Sequence, residues 1–399
     1  MILAHRIRLV PTVAQEVYFT RACGVARFAY NWALAEWRRQ DAAGQKPSEV
    51  ALRKHLNTIK HEQFPWMLEV TKNAPQQAIK NLGRAYGNFF DDLKKYRRGE
   101  IPWKRVRSPR FKRKGQHDGF RADNGPDKGH PDAVQIDGKR VKLAVIGWVK
   151  MREEVRFAGR ILSVAISRQA NAWFASLSIE IEHETLVRSD QTTVGVDLGI
   201  IALATLSDDT PKTSAPKPLR RYLHKLKRLC RALSRKQRGS RNRAKAKTKL
   251  ARLHRRIHDV RTDVLHKLTT SLVRYRTVVI EDLNVSGMLR NRCLARAIAD
   301  VGFFEFRRQL EYKAAMAGSI VLVADRWFAS SKRCSVCDTK NENLTLGERA
   351  WTCASCGTSH DRDRNAARNL ARYAESSPAS ACGADGSDGG QQTAVKPAA

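Results

Sequence analysis

The sequence predicts a multidomain α+β protein, and three observations predict it. A helical period governs the first hundred residues after one short strand. A two-residue alternation with turn signals runs to about residue 190, and apolar strands alternate with long helices beyond it. With 399 residues the chain can build two or three hydrophobic cores, and 42% hydrophobic residues suits a globular protein.

Residues 1–10 form a first strand ended by Pro11. From Thr12 the period becomes helical: Phe19, Cys23, Ala26, Tyr30, Ala33 and Trp37 recur at steps of three and four, and further helices at about 47–60 and 75–97 complete a helical domain over 11–100. The basic run PWKRVRSPRFKRK then leads into hairpins. Ile136-Asp137-Gly138 divides one, and Gln169-Ala170-Asn171 divides ILSVAIS from WFASLSIEI, so 101–190 reads as a small antiparallel β-barrel.

A third, α/β domain covers 191–333. It opens with VGVDLGIIALATL, two apolar strands about a Gly199-Ile200 turn, and continues with a strand TVVI, a helix from about Ala299 to Ala317 stopped by Gly318, and a strand SIVLVA. Inserted in it, 212–275 reads as a helical hairpin. Leu219, Leu223, Leu226, Cys230 and Leu233 form one side of its seam; Leu250, Leu253, Ile257, Val260 and Val264 form the other. A cysteine ribbon over 334–358, a last helix over 359–375 and a Ser-, Ala-, Gly- and Pro-rich tail over 376–399, expected to be disordered, complete the chain.

The chain holds 74 Lys and Arg against 39 Asp and Glu, a net charge of +35 that attracts polyanions and opposes a merely solvated surface. From Lys212 to His258 there is no acidic residue, which favours a phosphate-binding ridge over an ordinary solvated coiled-coil face, where Glu would mix with Lys. The start MILAHRIRLV lacks the continuous apolar stretch of a signal peptide and no apolar run has transmembrane length, so no membrane partner and a cytoplasmic location are expected. Eight cysteines in a reducing compartment are unsuited to a disulfide framework.

Four of those cysteines carry the most specific motif. Cys334-x2-Cys337, fifteen residues, then Cys353-x2-Cys356 places two thiolate pairs on two tight knuckles, the pattern of a closed, structural Zn²⁺ site. Cys23, Cys230, Cys293 and Cys382 show no partner pattern, and the first three are expected to pack as small hydrophobes.

Asp197 ends one apolar strand, Glu281 directly follows another, and Asp363 opens a helix. Carboxylates at the ends of buried strands are poorly placed for packing and well placed for a cation; three together repel, and one or two Mg²⁺ resolve the repulsion in the manner of metal-assisted phosphodiester hydrolysis. Taken singly, Asp197 also reads as a turn residue before Gly199, and Asp363 as a helix cap. Glu281 is preferred to Asp282 because consecutive residues face opposite ways; Asp361 is the corresponding neighbour of Asp363.

These segments resemble the TnpB family, RNA-guided nucleases of insertion-sequence transposons and relatives of the type V CRISPR effectors. The resemblance is carried by GVDLGI (195–200), VVIEDLNVSGM (278–288), the four-cysteine ribbon and HDRDRNAARNL (360–370). Upstream it continues in GVARFAYNWAL (24–34), KNLGRAYGNFF (80–90) and SPRFKRK (108–114). It implies an RNase H-like RuvC domain whose catalytic carboxylates are Asp197, Glu281 and Asp363 with bound Mg²⁺, a zinc ribbon held by Cys334, Cys337, Cys353 and Cys356, a helical recognition domain and a β-barrel wedge. It also implies a transposon-derived guide RNA, a double-stranded DNA target read beside a short flanking motif, and a monomer with one RNA. Lys72 and Gln76 lie where the family reads that motif, and Arg110, Lys112, Lys225 and Arg228 are expected to meet nucleic acid. A guided repressor without cleavage and a DDE-type transposase remain as alternatives, together with a basic RNA-binding module. The three carboxylates disfavour the repressor and the module; the ribbon just before the third acid disfavours the transposase.

Overall fold

Thr12 and Gln15 start the first helix by capping reciprocally: Gln15 N–H donates to Thr12 Oγ1 at 3.3 Å and Thr12 N–H donates to Gln15 Oε1 at 3.0 Å. The computed structural model describes residues 1–125, 133–182, 193–208, 210–345 and 347–376. Its backbone divides into two units, residues 1–184 and 185–399.

In the first unit, β1 (Ile2–Val10) precedes helices α1 (Val13–Ala42), α2 (Glu49–Gln63) and α3 (Asn73–Arg97). Strands β2 (Gly119–Asp123), β3 (Gln135–Asp137), β4 (Arg140–Leu143), β5 (Gly147–Met151), β6 (Arg160–Gln169) and β7 (Ala172–Glu180) follow. The described strands lie in the order β2-β6-β7-β1-β5-β4-β3, every pairing antiparallel. Both expected hairpins form, one over Gly138 and one over Ala170, each with a left-handed φ (49° and 57°). The predicted barrel is not closed by a ladder, because β2 and β3 do not pair. One side chain spans that gap: Asn124 donates to the Ile161 carbonyl at 2.9 Å, and its Oδ1 accepts from Val134 N–H at 2.9 Å. Helices and sheet share a core in which fully buried Phe19 of α1 meets Trp173 of β7 and Phe120 of β2, with ring centroids 5.2 and 6.0 Å away. Trp37 stacks on Tyr86, and so ties α1 to α3 at 4.1 Å.

The second unit opens with β8 (Thr193–Leu198), β9 (Ala202–Leu206) and β10 (Thr213–Ser214), then helices α4 (Pro218–Ser234) and α5 (Arg241–Leu272). After β11 (Thr277–Glu281) come α6 (Val285–Met288), α7 (Ala295–Val301), α8 (Phe303–Ala317) and β12 (Ile320–Ala324). A small hairpin of β13 (Ala350–Thr352) and β14 (Ser359–Asp361) leads into α9 (Arg362–Ser376). The main sheet runs β10-β9-β8-β11-β12: β8, β11 and β12 are parallel, and β9 alone runs against them, since β10 is antiparallel to β9. Leu265, Leu268, Phe306 and Leu310 of α5 and α8 bury one face against Val194, Val196, Val278 and Ile280; Leu370 and Ala374 of α9 bury the other against Val279. Strands covered on both faces need apolar side chains both ways, hence the near-continuous apolar runs VGV and TVVI. Each fully buried Leu or Phe here contributes about 1.5–3 kcal/mol.

Two glycines are dictated by neighbours. A Cβ at Gly195 of β8 would collide with the Ala367 carbonyl and stand 2.5 Å from Ala371 N, so α9 can lie this close only over glycine. Gly302 has φ 83° and divides the helix predicted over 299–317 into α7 and α8; a Cβ there would lie 2.9 Å from Arg261 Cδ.

The basic hairpin is rooted by one acid. Asp300 of α7, 2% exposed, accepts from Leu219 N–H at 2.8 Å and Arg220 N–H at 2.9 Å, and so caps α4 from outside its own sequence. Residues 213–214, predicted with the hairpin, pair as β10 instead. The heptad seam holds only while α4 is the partner. Beyond Ile257, α5 turns its buried side to the sheet through Leu265, Leu268 and Leu272, which leaves Val260 37% exposed. Cys23 is buried as expected, but Cys230 and Cys293 are exposed; the half-buried side of α4 runs through Leu226, Leu229 and Leu233 and leaves Cys230 off the predicted seam. The predicted tail, Cys382 with it, lies outside the described residues from 377 on, as does the 183–192 boundary segment. Among the described residues no helix is long and apolar enough to cross a membrane.

Gly195→Ala is expected to lose about 1–3 kcal/mol by overpacking β8 against α9, measured as a lowered midpoint in chemical unfolding followed by circular dichroism.

Candidate active site

Strand parity aims two of the predicted carboxylates at one helix. Asp197 lies two residues after Gly195, the point of closest approach to α9, and Glu281 lies two residues after Val279, which packs on α9. Asp363 stands in the first turn of α9. Asp282 faces the other way, where Arg307 of α8 bonds it at 3.0 Å and Arg326 also pairs with it. Asp361 is the residue that caps α9, accepting from Arg364 N–H at 2.9 Å, so the Asp363 side chain has no capping duty.

Burial pushes the Asp197 carboxyl up to about 8, and the negative charges of Glu281 and Asp363 push the same way, while Arg362 and Lys212 pull against them. Lys212 is the resident counter-charge: its Nζ lies 2.8 Å from Asp361 and 3.1 Å from Asp363. Arg349 approaches Asp363 from the other side at 3.5 Å. Burial together with the charges of Glu281 and Asp363 thus favours the protonated form of Asp197, a group that a cation would hold ionised.

The cysteines are drawn together more tightly. Their four sulfurs lie within 4.8 Å of one another, the one such group of metal-ligating atoms among the described residues. The Cys334–Cys356 and Cys337–Cys353 separations are 3.6 and 3.5 Å. A tetrahedron with metal–sulfur bonds of about 2.3 Å has edges of roughly 3.8 Å, so a tetrahedral metal fits. The two knuckles repeat one geometry. Cys334 N–H donates to Thr339 O and Cys353 N–H to Thr358 O, both at 2.9 Å, with left-handed Asp338 (φ 64°) and Gly357 (φ 70°) making the turns. Thr339 holds the Cys337 thiol down at about 6, whereas burial pushes Cys334 up to about 11.

Several residues that the sequence did not single out join the two clusters. Ser330 donates to Glu281 Oε1 at 2.5 Å, and its own carbonyl accepts from Asn369 of α9 at 2.7 Å. Asn369 also reaches the Arg333 carbonyl, while Asn365 bonds that same carbonyl at 2.6 Å and accepts from Ser335 N–H at 2.8 Å. His360 Nε2 lies 3.1 Å from Cys334 Sγ. All of Ser330, Asn365, Asn369 and His360 are buried. The only sequence signal for them is proximity: Ser330 shortly precedes the first cysteine, and the two asparagines, four residues apart on one helical face, follow Asp363.

The predicted nucleic-acid contacts fare differently. Lys225 and Arg228 lie exposed on α4, and Arg110 lies exposed in the basic segment. Lys112 is engaged in packing: its backbone exchanges hydrogen bonds with the Asn31 side chain, and its ammonium sits 4.2 Å from the Tyr30 ring. Lys72 is exposed at the start of α3 and Gln76 half-buried one turn on, while the neighbouring Gln77 is buried and bonded to Asp123.

Two layered units, the second with a mixed sheet and a four-cysteine cluster that could hold a metal ion, define an α+β protein. Family models match three stretches: "Probable transposase" (OrfB of IS605) over 176–292, "Cas12f1-like, TNB domain" over 303–370 and "Helix-turn-helix domain" over 1–46. In this chain the last of these falls on β1 and α1. A Streptomyces pristinaespiralis protein named "Putative RNA-guided DNA endonuclease" is 40% identical over 95% of this chain and 90% of its own length. Its Escherichia coli K12 namesake InsQ is 34% identical over 92% and 91%. A solved Cas12f1–sgRNA–target DNA complex shares the fold with a TM-score of 0.53 at 14% identity, over 90% of this chain and 83% of that one. The chain belongs to the TnpB family.

An acid whose folded-state pKa lies above its unfolded value keeps its proton between the two, so folding stability falls as pH rises from the ordinary carboxylate range to about 8. A divalent cation must displace that proton. Its apparent affinity is expected to rise by up to about tenfold per pH unit toward pH 8 and level off above, with proton release, and Asp197→Asn should flatten the dependence; calorimetry in two buffers checks both.

Proposed function

We propose that this chain is an RNA-guided DNA endonuclease with a single RNase H-like hydrolytic site formed by Asp197, Glu281 and Asp363. The observation that carries the reading is geometric: Asp197 and Glu281 each stand one residue past the paired Val196 and Ile280 of adjacent parallel strands, and α9, with Asp363 in its first turn, packs on both strands. Mg²⁺, when bound, supplies an activated water and stabilises the leaving oxygen of a phosphodiester. The protein's own part is positional. β8 and β11 fix two carboxylates, Ser330 orients Glu281, and α9, seated over Gly195 through Ala367 and Ala371, carries Asp363 in its first turn. No side-chain nucleophile is required.

The four cysteines hold a structural Zn²⁺: all-thiolate coordination leaves no open position for chemistry, and the buried clamp from His360, Asn365 and Asn369 suits a structural role. The cationic faces of α4 and α5 hold the guide RNA and its heteroduplex by their phosphates, the helical part of the first unit reads the short motif beside the target through Lys72 and Gln76, and base pairing supplies the remaining specificity. One protein binds one RNA and cuts double-stranded DNA with the same site.

Expression with the native flanking DNA, sequencing of the co-purifying RNA and cleavage of a plasmid library with randomised flanks test the reading; recovery of no discrete RNA would sink it. Asp197→Ala should lower Mg²⁺-dependent cutting by about three orders of magnitude or more, with RNA and target binding retained in a mobility-shift assay. Elemental analysis should find one zinc per chain, and Cys353→Ser should lose it together with part of the cooperative thermal transition.

A further inference from the structure

We propose that Trp327 is a base-stacking platform for the DNA strand being cut, a site that rests on reading the chain as a DNA nuclease. Trp327 is 86% exposed, the most exposed large hydrophobic side chain of the described residues. It is presented on a rigid turn. Trp327 N–H donates to Asp325 Oδ1 at 2.8 Å, Phe328 N–H to the Asp325 carbonyl at 3.0 Å, and Asp325 N–H to Tyr373 Oη at 3.3 Å. The residues on either side are anchored, Arg326 to Asp282 and Phe328 against the Tyr373 ring at 5.0 Å. Tryptophan is the most costly residue to leave in water, yet both its neighbours are tied down and it is turned outward.

Its position supplies the ligand class. β12 runs parallel to β11 with Ala324 beside Glu281, so the turn leaves the sheet at the same end as that carboxylate. Three residues after Trp327, Ser330 donates to Glu281. A three-residue span reaches at most about 11 Å. With the two side chains and the Ser330–Glu281 bond added the indole lies within about 20 Å of the carboxylate, so at about 3.4 Å per stacked nucleotide it meets a base within roughly six nucleotides of a phosphodiester at the carboxylates. The two residues before it, Asp325 and Arg326, are exposed and polar, and the apolar residue after it, Phe328, turns back onto Tyr373, so the chain beside the ring offers it no exposed apolar neighbour of the kind a protein partner buries. A lone flat ring beside a phosphodiester-cutting site suits a nucleobase, since every base has a π-face and stacking tolerates any sequence.

The test uses the full chain with its guide RNA. Trp327→Ala should slow guided cutting about 10- to 100-fold, while co-purifying RNA and target binding stay unchanged, and Trp327→Phe should recover most of the rate. In parallel, the Asp197→Ala protein is mixed with single-stranded DNA carrying 2-aminopurine near the mapped cut; its fluorescence should be quenched, and the quench should vanish when Trp327→Ala is added. Unchanged cutting and quenching in Trp327→Ala would overturn the proposal. So would a Phe variant as slow as the Ala variant, or a self-association in sedimentation that Trp327→Ala abolishes. If the parent cuts no guided DNA, the functional reading fails by itself, and the quench with single-stranded DNA, placed then at any position along it, still decides whether Trp327 stacks on bases.

Discussion

Two carboxylates at the ends of neighbouring strands and a third on the helix packed above them repel one another, and the second unit holds them together by close packing of that helix. Gly195 lets α9 descend onto β8 and brings Asp363 near Asp197. Lys212 and Arg349 then lend positive charge from outside the sheet, and Asp197 answers by holding its proton. A neutral core at these positions would fold more easily.

The cysteine ribbon belongs to the same problem. Its stem is gripped by Asn365 and Asn369 on the helix that carries Asp363, and its entry segment reaches Glu281 through Ser330. The ribbon lies between the second and third acids in sequence and also braces them in space. Loss of one of these buried hydrogen bonds would leave a carbonyl or amide unsatisfied at roughly 1–3 kcal/mol, a sizeable part of what fixes the geometry of a domain.

Much of this was legible before the structure. The two-residue period found the strands of the first unit, and apolar runs ending in acid found β8 and β11, because a strand buried on both faces leaves no other pattern. Cysteine spacing found the metal cluster, since two knuckles need fixed intervals. What escaped has physical reasons. Open edges at β2 and β3 depend on a long-range side-chain bridge by Asn124 that no local period encodes. Heptad spacing continued through Val260 although α5 had changed partner, because a repeat records which face is apolar and not what covers it. Gly302 broke a helix that propensity alone would have carried through. Ser330, Asn369 and Lys212 are ordinary residues individually; only the fold brings them to the carboxylates.

The capping of α4 by Asp300 separates two properties of the basic hairpin. Its attachment rests on a carboxylate buried among backbone amides, whereas its field comes from exposed cations along both helices. Ionic strength acts on these unequally: mobile ions screen exposed charges over about 8 Å at physiological salt and reach a buried pair far less. Raising the salt therefore weakens the field of the ridge while the ridge itself stays folded and in place, so the hairpin's charge and its seating respond to different conditions.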